Sequence, residues 1–194
     1  MNTDATINIG SAHSICQDYV IARSGYVILS DGCSSSPDTD IGARLLVKAL
    51  DQLLKNPTDV EALHKRAARV ALDWAGMIAL PPQSVDATLM SIHVTNEDLI
   101  IACSGDGVII LESQAGVFEV YAISSPSGYP FYASYAHQPE RLSELITNDR
   151  HTNRRTRNVS RRCLRQALLA TRRRSTRLPA RSESRHYRVR TRTQ

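Results

Sequence analysis

The chain has 194 residues, enough for one ordinary domain with a hydrophobic core, and a formal net charge of +5. That charge averages two unlike parts: residues 1–150 carry 9 Lys or Arg against 18 Asp or Glu, whereas residues 151–194 carry 15 Arg against one Glu. No apolar run reaches the length of a membrane span, and the four cysteines follow neither a secretory signal nor a Cys-x-x-Cys spacing. We therefore expect a cytoplasmic protein with reduced thiols, neither membrane-spanning nor disulfide-stabilised.

The first elements predicted along the chain are strands at residues 5–9, 19–23 and 26–30. Ser24-Gly25 joins the last two as a tight hairpin. A loop of small and polar residues follows at 33–39, and Asp38 or Asp40 is the candidate N-cap of a helix over 41–54.

A second helix is predicted from residue 59 or 60 to about residue 79, where Pro81-Pro82 ends it. Four more strands then follow at 87–94, 99–103, 108–111 and 117–123. Strands, two long helices and further strands in that order favour an α/β fold of the α+β type with largely antiparallel sheets. A doubly wound nucleotide-binding fold is disfavoured, because neither a dinucleotide-binding nor a P-loop glycine motif occurs.

The candidate site begins with Asp31-Gly32, at the end of the apolar run 25–30. A carboxylate followed by glycine at the mouth of a strand can bind a hard cation through a side chain and a backbone carbonyl. Asp18 lies upstream and Asp106 downstream, each beside another predicted strand. The three acidic positions can therefore converge.

Five short motifs carry a resemblance to a known family. In chain order they are Gly10-Ser11-Ala12-His13 with Cys16-Gln17-Asp18, Ser30-Asp31-Gly32, Asp40-Ile41-Gly42-Ala43, Asp86-Ala87-Thr88-Leu89 and Ser104-Gly105-Asp106-Gly107. This order resembles the N-terminal and middle parts of the metal-dependent PP2C (PPM-type) protein phosphatases, bacterial branch. The resemblance implies a sandwich of two mainly antiparallel sheets flanked by helices.

The resemblance also implies hydrolysis of phosphoserine and phosphothreonine in phosphoproteins by a water activated at two or three Mn²⁺ or Mg²⁺ ions, which suit carboxylate and water ligands. Asp31 would bridge two ions, Gly32 would offer its carbonyl, and Asp18 would act through water. Asp106 would contact a third ion, or simply form a hairpin turn. His13 is either a phosphate contact or a structural residue.

Two departures from the family pattern stand out. Cys33 occupies the position where some relatives carry a histidine proposed as general acid, so protonation of the leaving group is unassigned. The family's late aspartates, one in a Ser-Asp-Gly-like motif, have no counterpart after residue 123, because Asp149 lacks the flanking strand and glycine. We expect a partial phosphatase domain over 1–147, incomplete at its C-terminus by truncation or frame shift, and an Arg-rich disordered tail over 148–194.

Two alternatives from another functional class remain open. One is a non-catalytic, degenerate phosphatase fold that binds phosphoprotein. The other is a polyanion or nucleic-acid binder acting through the Arg-rich tail. Nucleic acid would bind there only nonspecifically, because Tyr187 is the one aromatic residue available for base stacking.

Overall fold

The computed structural model of the chain describes residues 3–9, 11, 13–55, 62–94, 99–112, 116–124, 130–155 and 189–191. Its strands form two antiparallel sheets. The first has the spatial order β1 (Asp18–Arg23), β2 (Tyr26–Asp31), β3 (Leu89–Val94), β4 (Leu99–Ser104). The second has the order β6 (Phe118–Ile123), β5 (Gly107–Glu112), β7 (Val189–Thr191). The expected mixed fold with two antiparallel sheets is confirmed.

Three α-helices and two short 3₁₀-helices accompany the sheets. They are α1 (Thr39–Leu54), α2 (Leu63–Met77) and α3 (Pro139–Arg155), with 3₁₀-helices at Pro82–Val85 and Ala133–His137. Helix α1 begins directly after Asp38, which adopts a left-handed φ of 54° and forms no side-chain cap. Asp40 lies in the first turn, where a carboxylate favours the helix dipole.

The main core lies between the four-stranded sheet and helices α1 and α2. Leu46 and Leu50 of α1 are fully buried there against a cluster that includes Ile28 of β2 and Leu89 of β3. Their spacing of four residues places them on one face of the helix, and this face packs on the sheet.

A second, smaller core lies between the two sheets. Leu29, Met90 and Ile109 are buried in it, one from each of β2, β3 and β5. Because successive side chains of a strand point to opposite faces, Ile28 faces the helices while Leu29 faces the second sheet. The molecule is therefore layered as helices, four-stranded sheet and three-stranded sheet.

Helix α1 approaches the first 3₁₀-helix closely, and Gly42 makes this possible. A Cβ atom at this position would lie 1.6 Å from the carbonyl oxygen of Ser84. Any side chain larger than hydrogen would therefore push α1 away from the segment that leads into β3.

Residues 5–9 do not form the expected strand. Ile7 and Ile9, whose alternation suggested it, are 36% and 50% exposed and gain no strand partner. The alternating pattern was present, but a strand also needs a neighbour for its backbone hydrogen bonds.

The C-terminal part contains elements that the sequence did not suggest. Helix α3 crosses the expected domain boundary at residue 147, and β7 lies within the segment expected to be a tail. Residues 156–188 and 192–194 lie outside the described residues, as does the predicted start of α2 at 59 or 60. In the part of the chain that the structure describes, no helix has the length and apolar character needed to cross a bilayer.

Candidate metal centre

The β1–β2 hairpin brings two acidic side chains together. Its tight turn at Ser24-Gly25 sets a register in which Asp18 lies directly opposite Asp31. The neighbouring carboxyl group of Asp18 is one of the causes that raise the pKa of Asp31. Two residues that are 13 positions apart in the sequence thus share one site.

The backbone of Asp31 is held on its other side by β3. Its N–H donates to the hydroxyl of Thr88 at 3.0 Å, and its carbonyl accepts from the Thr88 N–H at 2.8 Å. The Ser30 hydroxyl donates to the Thr88 carbonyl at 2.6 Å. Asp31 is therefore held at the end of a central strand, with neighbours on both sides that restrict its backbone.

Asp106 lies where the chain passes from one sheet to the other, between β4 and β5. The preceding Gly105 has a φ of +103°, and a Cβ there would lie 2.9 Å from the methyl group of Thr88. Glycine at 105 therefore permits both the turn and the close approach to β3, and this brings Asp106 to the same end of the sheet as Asp31.

A cleft of about 390 Å³ opens at this end of the sheet. It is lined by all five positions expected to form the site, namely His13, Asp18, Asp31, Gly32 and Asp106. Cys16, Cys33, Thr88 and Tyr132 line it as well. Among the described lining residues there is no Lys or Arg.

The electrostatics of the cleft favour a cation. Burial, together with the neighbouring carboxyl groups of Asp18 and Asp106, raises the pKa of Asp31 to about 7. A buried carboxyl among like charges is relieved by a positive ion. The donors at hand are carboxylate and carbonyl oxygens, which hard divalent cations prefer.

Within the described ranges, no three His, Cys, Asp or Glu side chains are close enough together to hold an ion by themselves. An ion here would therefore complete its coordination with the Gly32 carbonyl and with water. This fits Mg²⁺ and similar cations, which keep several waters in protein sites.

The loop after Gly32 is tied to helix α1 through Gln17 and Thr39. The Gly32 N–H donates to the Gln17 carbonyl at 3.1 Å, and the Gln17 side-chain amide donates to the Thr39 hydroxyl at 2.8 Å. That hydroxyl donates in turn to the Cys33 carbonyl at 3.0 Å. Sequence reasoning missed Thr39, although its place at the start of a predicted helix was a signal.

A buried ion pair anchors the same loop from behind. Asp86, 1% exposed, accepts hydrogen bonds from Ser36 at 3.0 Å and from Arg141 at 2.6 and 2.9 Å. Its carbonyl accepts from the Cys33 N–H at 2.9 Å. Arg141 was not expected to take part, because 55 residues separate it from Asp86.

Cys33 meets hydroxyl groups at the wall of the cleft. Burial tends to raise the pKa of its thiol, but hydrogen bonds with Ser35, Tyr132 and Ser36 outweigh that and lower it. Burial raises the pKa of Tyr132 itself. The sequence offered no cationic partner for Cys33, and the groups that affect it here are hydroxyls contributed by the fold.

His64 of α2 is a further buried polar residue that the sequence did not single out. Its ring nitrogens lie 3.0 Å from the Ser104 hydroxyl and 2.9 Å from the Ser91 hydroxyl. Burial lowers its pKa to about 4. A neutral imidazole thus links α2 to β3 and to the end of β4, two residues before Asp106.

Comparison with known proteins identifies the family. Residues 10–179 match the family model described as Protein phosphatase 2C. This match includes every expected site position. No curated protein matches the chain.

Solved structures of phosphatases are similar to this chain. The catalytic domain of the serine/threonine protein phosphatase PstP in complex with two manganese ions is 18% identical, with a TM-score of 0.52 over 66% of this chain and 65% of that one. The PPM Ser-Thr phosphatase MsPP from Mycobacterium smegmatis, in complex with cacodylate, is 17% identical, with a TM-score of 0.51 over 86% of this chain and 64% of that one. The Mycobacterium tuberculosis phosphatase PstP/Ppp is 21% identical, with a TM-score of 0.49 over 62% and 52%. The chain thus spans between half and two thirds of these relatives.

Proposed function

The chain belongs to the protein phosphatase 2C family, and from that premise we propose that it hydrolyses phosphoserine and phosphothreonine esters of cytoplasmic phosphoproteins with Mn²⁺ or Mg²⁺ bound in the cleft. The observation that carries the proposal is the cross-strand pair of Asp18 and Asp31, beside Asp106 in one cleft. Two acidic groups beside one partly buried carboxyl are costly unless cations offset them.

In the proposed site the Asp31 carboxylate and the Gly32 carbonyl would hold the metal ions. Asp18 would contribute through water, and Asp106 would hold a further ion. When bound, such ions polarise the phosphoryl oxygens and lower the pKa of water. Thr88 supports this role because its two backbone-directed hydrogen bonds hold Asp31 in place.

The phosphorylated side chain would enter the cleft beside His13, which lines it. We propose that the imidazole N–H of His13 donates a hydrogen bond to the phosphate. Gln17 and Thr39 hold the loop after Gly32, so the floor of the cleft keeps its shape when a substrate binds.

The test is hydrolysis of p-nitrophenyl phosphate and of a phosphothreonine peptide with MnCl₂, with and without EDTA. We expect turnover that requires the metal. In Asp31→Asn the rate should fall by at least about 100-fold, because removing a residue that only hydrogen-bonds to a metal ligand already lowers metal affinity or activity about 10- to 100-fold. Asp73→Asn is the matched control, since it removes a carboxylate that is 58% exposed on α2.

The control variant should retain wild-type turnover. Metal-independent turnover, or equal rates in Asp31→Asn and the wild type, would contradict the proposal.

A second candidate is a non-catalytic, degenerate phosphatase fold that binds phosphoprotein in the same cleft, which His13 lines. Phosphopeptide binding by calorimetry without any turnover, abolished in His13→Ala, would support this candidate against the enzyme.

A further inference from the structure

Two cysteines, Cys16 and Cys33, line the cleft. The hairpin register pairs Asp18 with Asp31, and the Gly32 N–H still donates to the Gln17 carbonyl at 3.1 Å one step beyond the last strand pair. The same register, continued by one more residue on each side, would bring Cys16 opposite Cys33.

The kind of pairing at this position follows from the hydrogen-bond pattern. In an antiparallel ladder, pairs that exchange N–H···O bonds alternate with pairs that do not. Since Gln17 and Gly32 are joined by such a bond, the next pair, Cys16 and Cys33, is a non-hydrogen-bonded pair. Its Cα atoms are expected about 4.5 Å apart, within the range of about 4.4–6.8 Å that disulfides span.

The two side chains also share a face. Because strand side chains alternate, Cys16 and Cys33 point to the same side as Asp18 and Asp31. Both cysteines line the cleft and both are partly exposed. Their sulfurs are now turned to local partners, the Asp18 carbonyl at 3.8 Å and the Ser35 hydroxyl at 3.1 Å, so rotation about the Cα–Cβ bonds is the movement needed.

We propose that Cys16 and Cys33 form a dithiol site that peroxides oxidise to an intramolecular disulfide across the mouth of the cleft. In the first step a thiolate attacks the peroxide, which gives a sulfenic acid and, from hydrogen peroxide, one water. The second thiol then displaces the hydroxyl group as water and forms the S–S bond. Two thiols lose two protons and two electrons in total, and one hydrogen peroxide takes them up to become two waters.

The two remaining cysteines, Cys103 and Cys163, could in principle form a disulfide in place of this pair. Cys103 is the penultimate residue of β4. Burial, with the nearby charge of Asp106, raises the pKa of its thiol to about 12. Cys163 lies outside the described residues. The register argument therefore selects one pair among the possible pairs of four cysteines.

Trypsin makes the pair easy to identify. Cleavage after Arg23 and Arg44 puts Cys16 on the peptide 1–23 and Cys33 on the peptide 24–44, while Cys103 falls on the peptide 70–141. The reduced full-length protein is treated with hydrogen peroxide, alkylated with N-ethylmaleimide, digested and examined by mass spectrometry with and without reductant.

We expect a drop from four to two free thiols per chain and a reductant-sensitive linked peptide joining 1–23 to 24–44. The link should form at a rate independent of protein concentration. It should persist in Cys103→Ser, the matched control, and disappear in Cys16→Ser. The proposal would be overturned by disulfide-linked peptides containing Cys103 or Cys163 in comparable amounts. It would also be overturned if Cys16 and Cys33 both remained free after peroxide treatment and were alkylated.

This measurement does not require turnover, so its outcome is separate from that of the proposed phosphatase function. A linked peptide in a protein without phosphatase activity supports the dithiol site alone. If the protein is an active phosphatase but forms no linked peptide after peroxide treatment, the proposed phosphatase function stands and the dithiol proposal is overturned.

Discussion

Asp86 and Arg141 form a two-fold ion pair, with nitrogen–oxygen distances of 2.6 and 2.9 Å. Asp86 lies just before β3 and is 1% exposed, and Arg141 comes from the first turn of α3 and stacks 4.7 Å above the ring of Tyr135. Because Asp86 also binds Ser36, the pair connects α3 to the loop that forms one wall of the cleft.

Arg141→Ala is expected to destabilise the protein by about 2–3 kcal/mol, because it leaves a buried carboxylate with only hydroxyl partners. The matched control is Arg69→Ala, which breaks an exposed pair with Asp73 on α2 and should cost no more than about 0.5 kcal/mol. Urea unfolding followed by circular dichroism measures both. Equal losses in the two variants would show that the ion pair is not an anchor.

His64 makes stability depend on pH. Its folded pKa of about 4 lies below the ordinary value of 6.5, so the unfolded chain binds a proton first as the pH falls. The contribution of neutral His64 is therefore fully present above pH 6.5 and is lost between pH 6.5 and 4. A shift of this size corresponds to about 3 kcal/mol.

The measurement is the free energy of unfolding of wild type and His64→Gln at pH values from 7 to 4. The other histidines and the carboxyls titrate in both proteins and cancel in the difference. The wild type should lose about 3 kcal/mol more than the variant over that range. Parallel curves would mean that His64 is protonated in the folded protein.

Asp31→Asn should separate stability from metal binding. In EDTA at pH 8 the variant removes a buried like charge beside Asp18, so it should be more stable than the wild type by about 1–2 kcal/mol after allowance for solvent screening. Added MnCl₂ should raise the melting temperature of the wild type through binding to the native state, and this rise should vanish in the variant. Asp73→Asn, on α2, should behave as the wild type in both conditions.

Gly42→Ala should destabilise the protein by about 3 kcal/mol, the upper end for overpacking, because the new methyl group meets the backbone oxygen of Ser84. Gly76→Ala, near the end of α2, meets no atom within 4 Å. That control should be neutral or stabilising by up to about 1 kcal/mol, since alanine favours a helix. Chemical denaturation of the two variants tests the close approach of α1 directly.

The hairpin and its acidic residues could be predicted from the sequence because the signals are local. Ser24-Gly25 between two apolar runs specifies a tight turn, and once the turn is set, the register follows. That register is what puts Asp18 opposite Asp31. The family resemblance read from five short motifs is confirmed by the family match over residues 10–179.

Other features could not be predicted because their signals are long-range or incomplete. Arg141 pairs with a residue 55 positions away, and nothing in the local pattern of α3 indicates Asp86. The alternation at residues 5–9 was real, yet no neighbouring strand was available. The metal-ligand roles of Asp18, Asp31, Gly32 and Asp106, and the phosphate contact of His13, stay predictions.

The sequence by itself determined the strand and helix periodicity, the tight turn and the family. These depend on neighbours in the chain, whose geometry the backbone imposes. Only the tertiary structure decided that Cys33 meets Tyr132, that His64 lies between two serines, and that Asp86 is neutralised by α3. Such contacts depend on how layers pack, and many sequences with the same local pattern could pack differently.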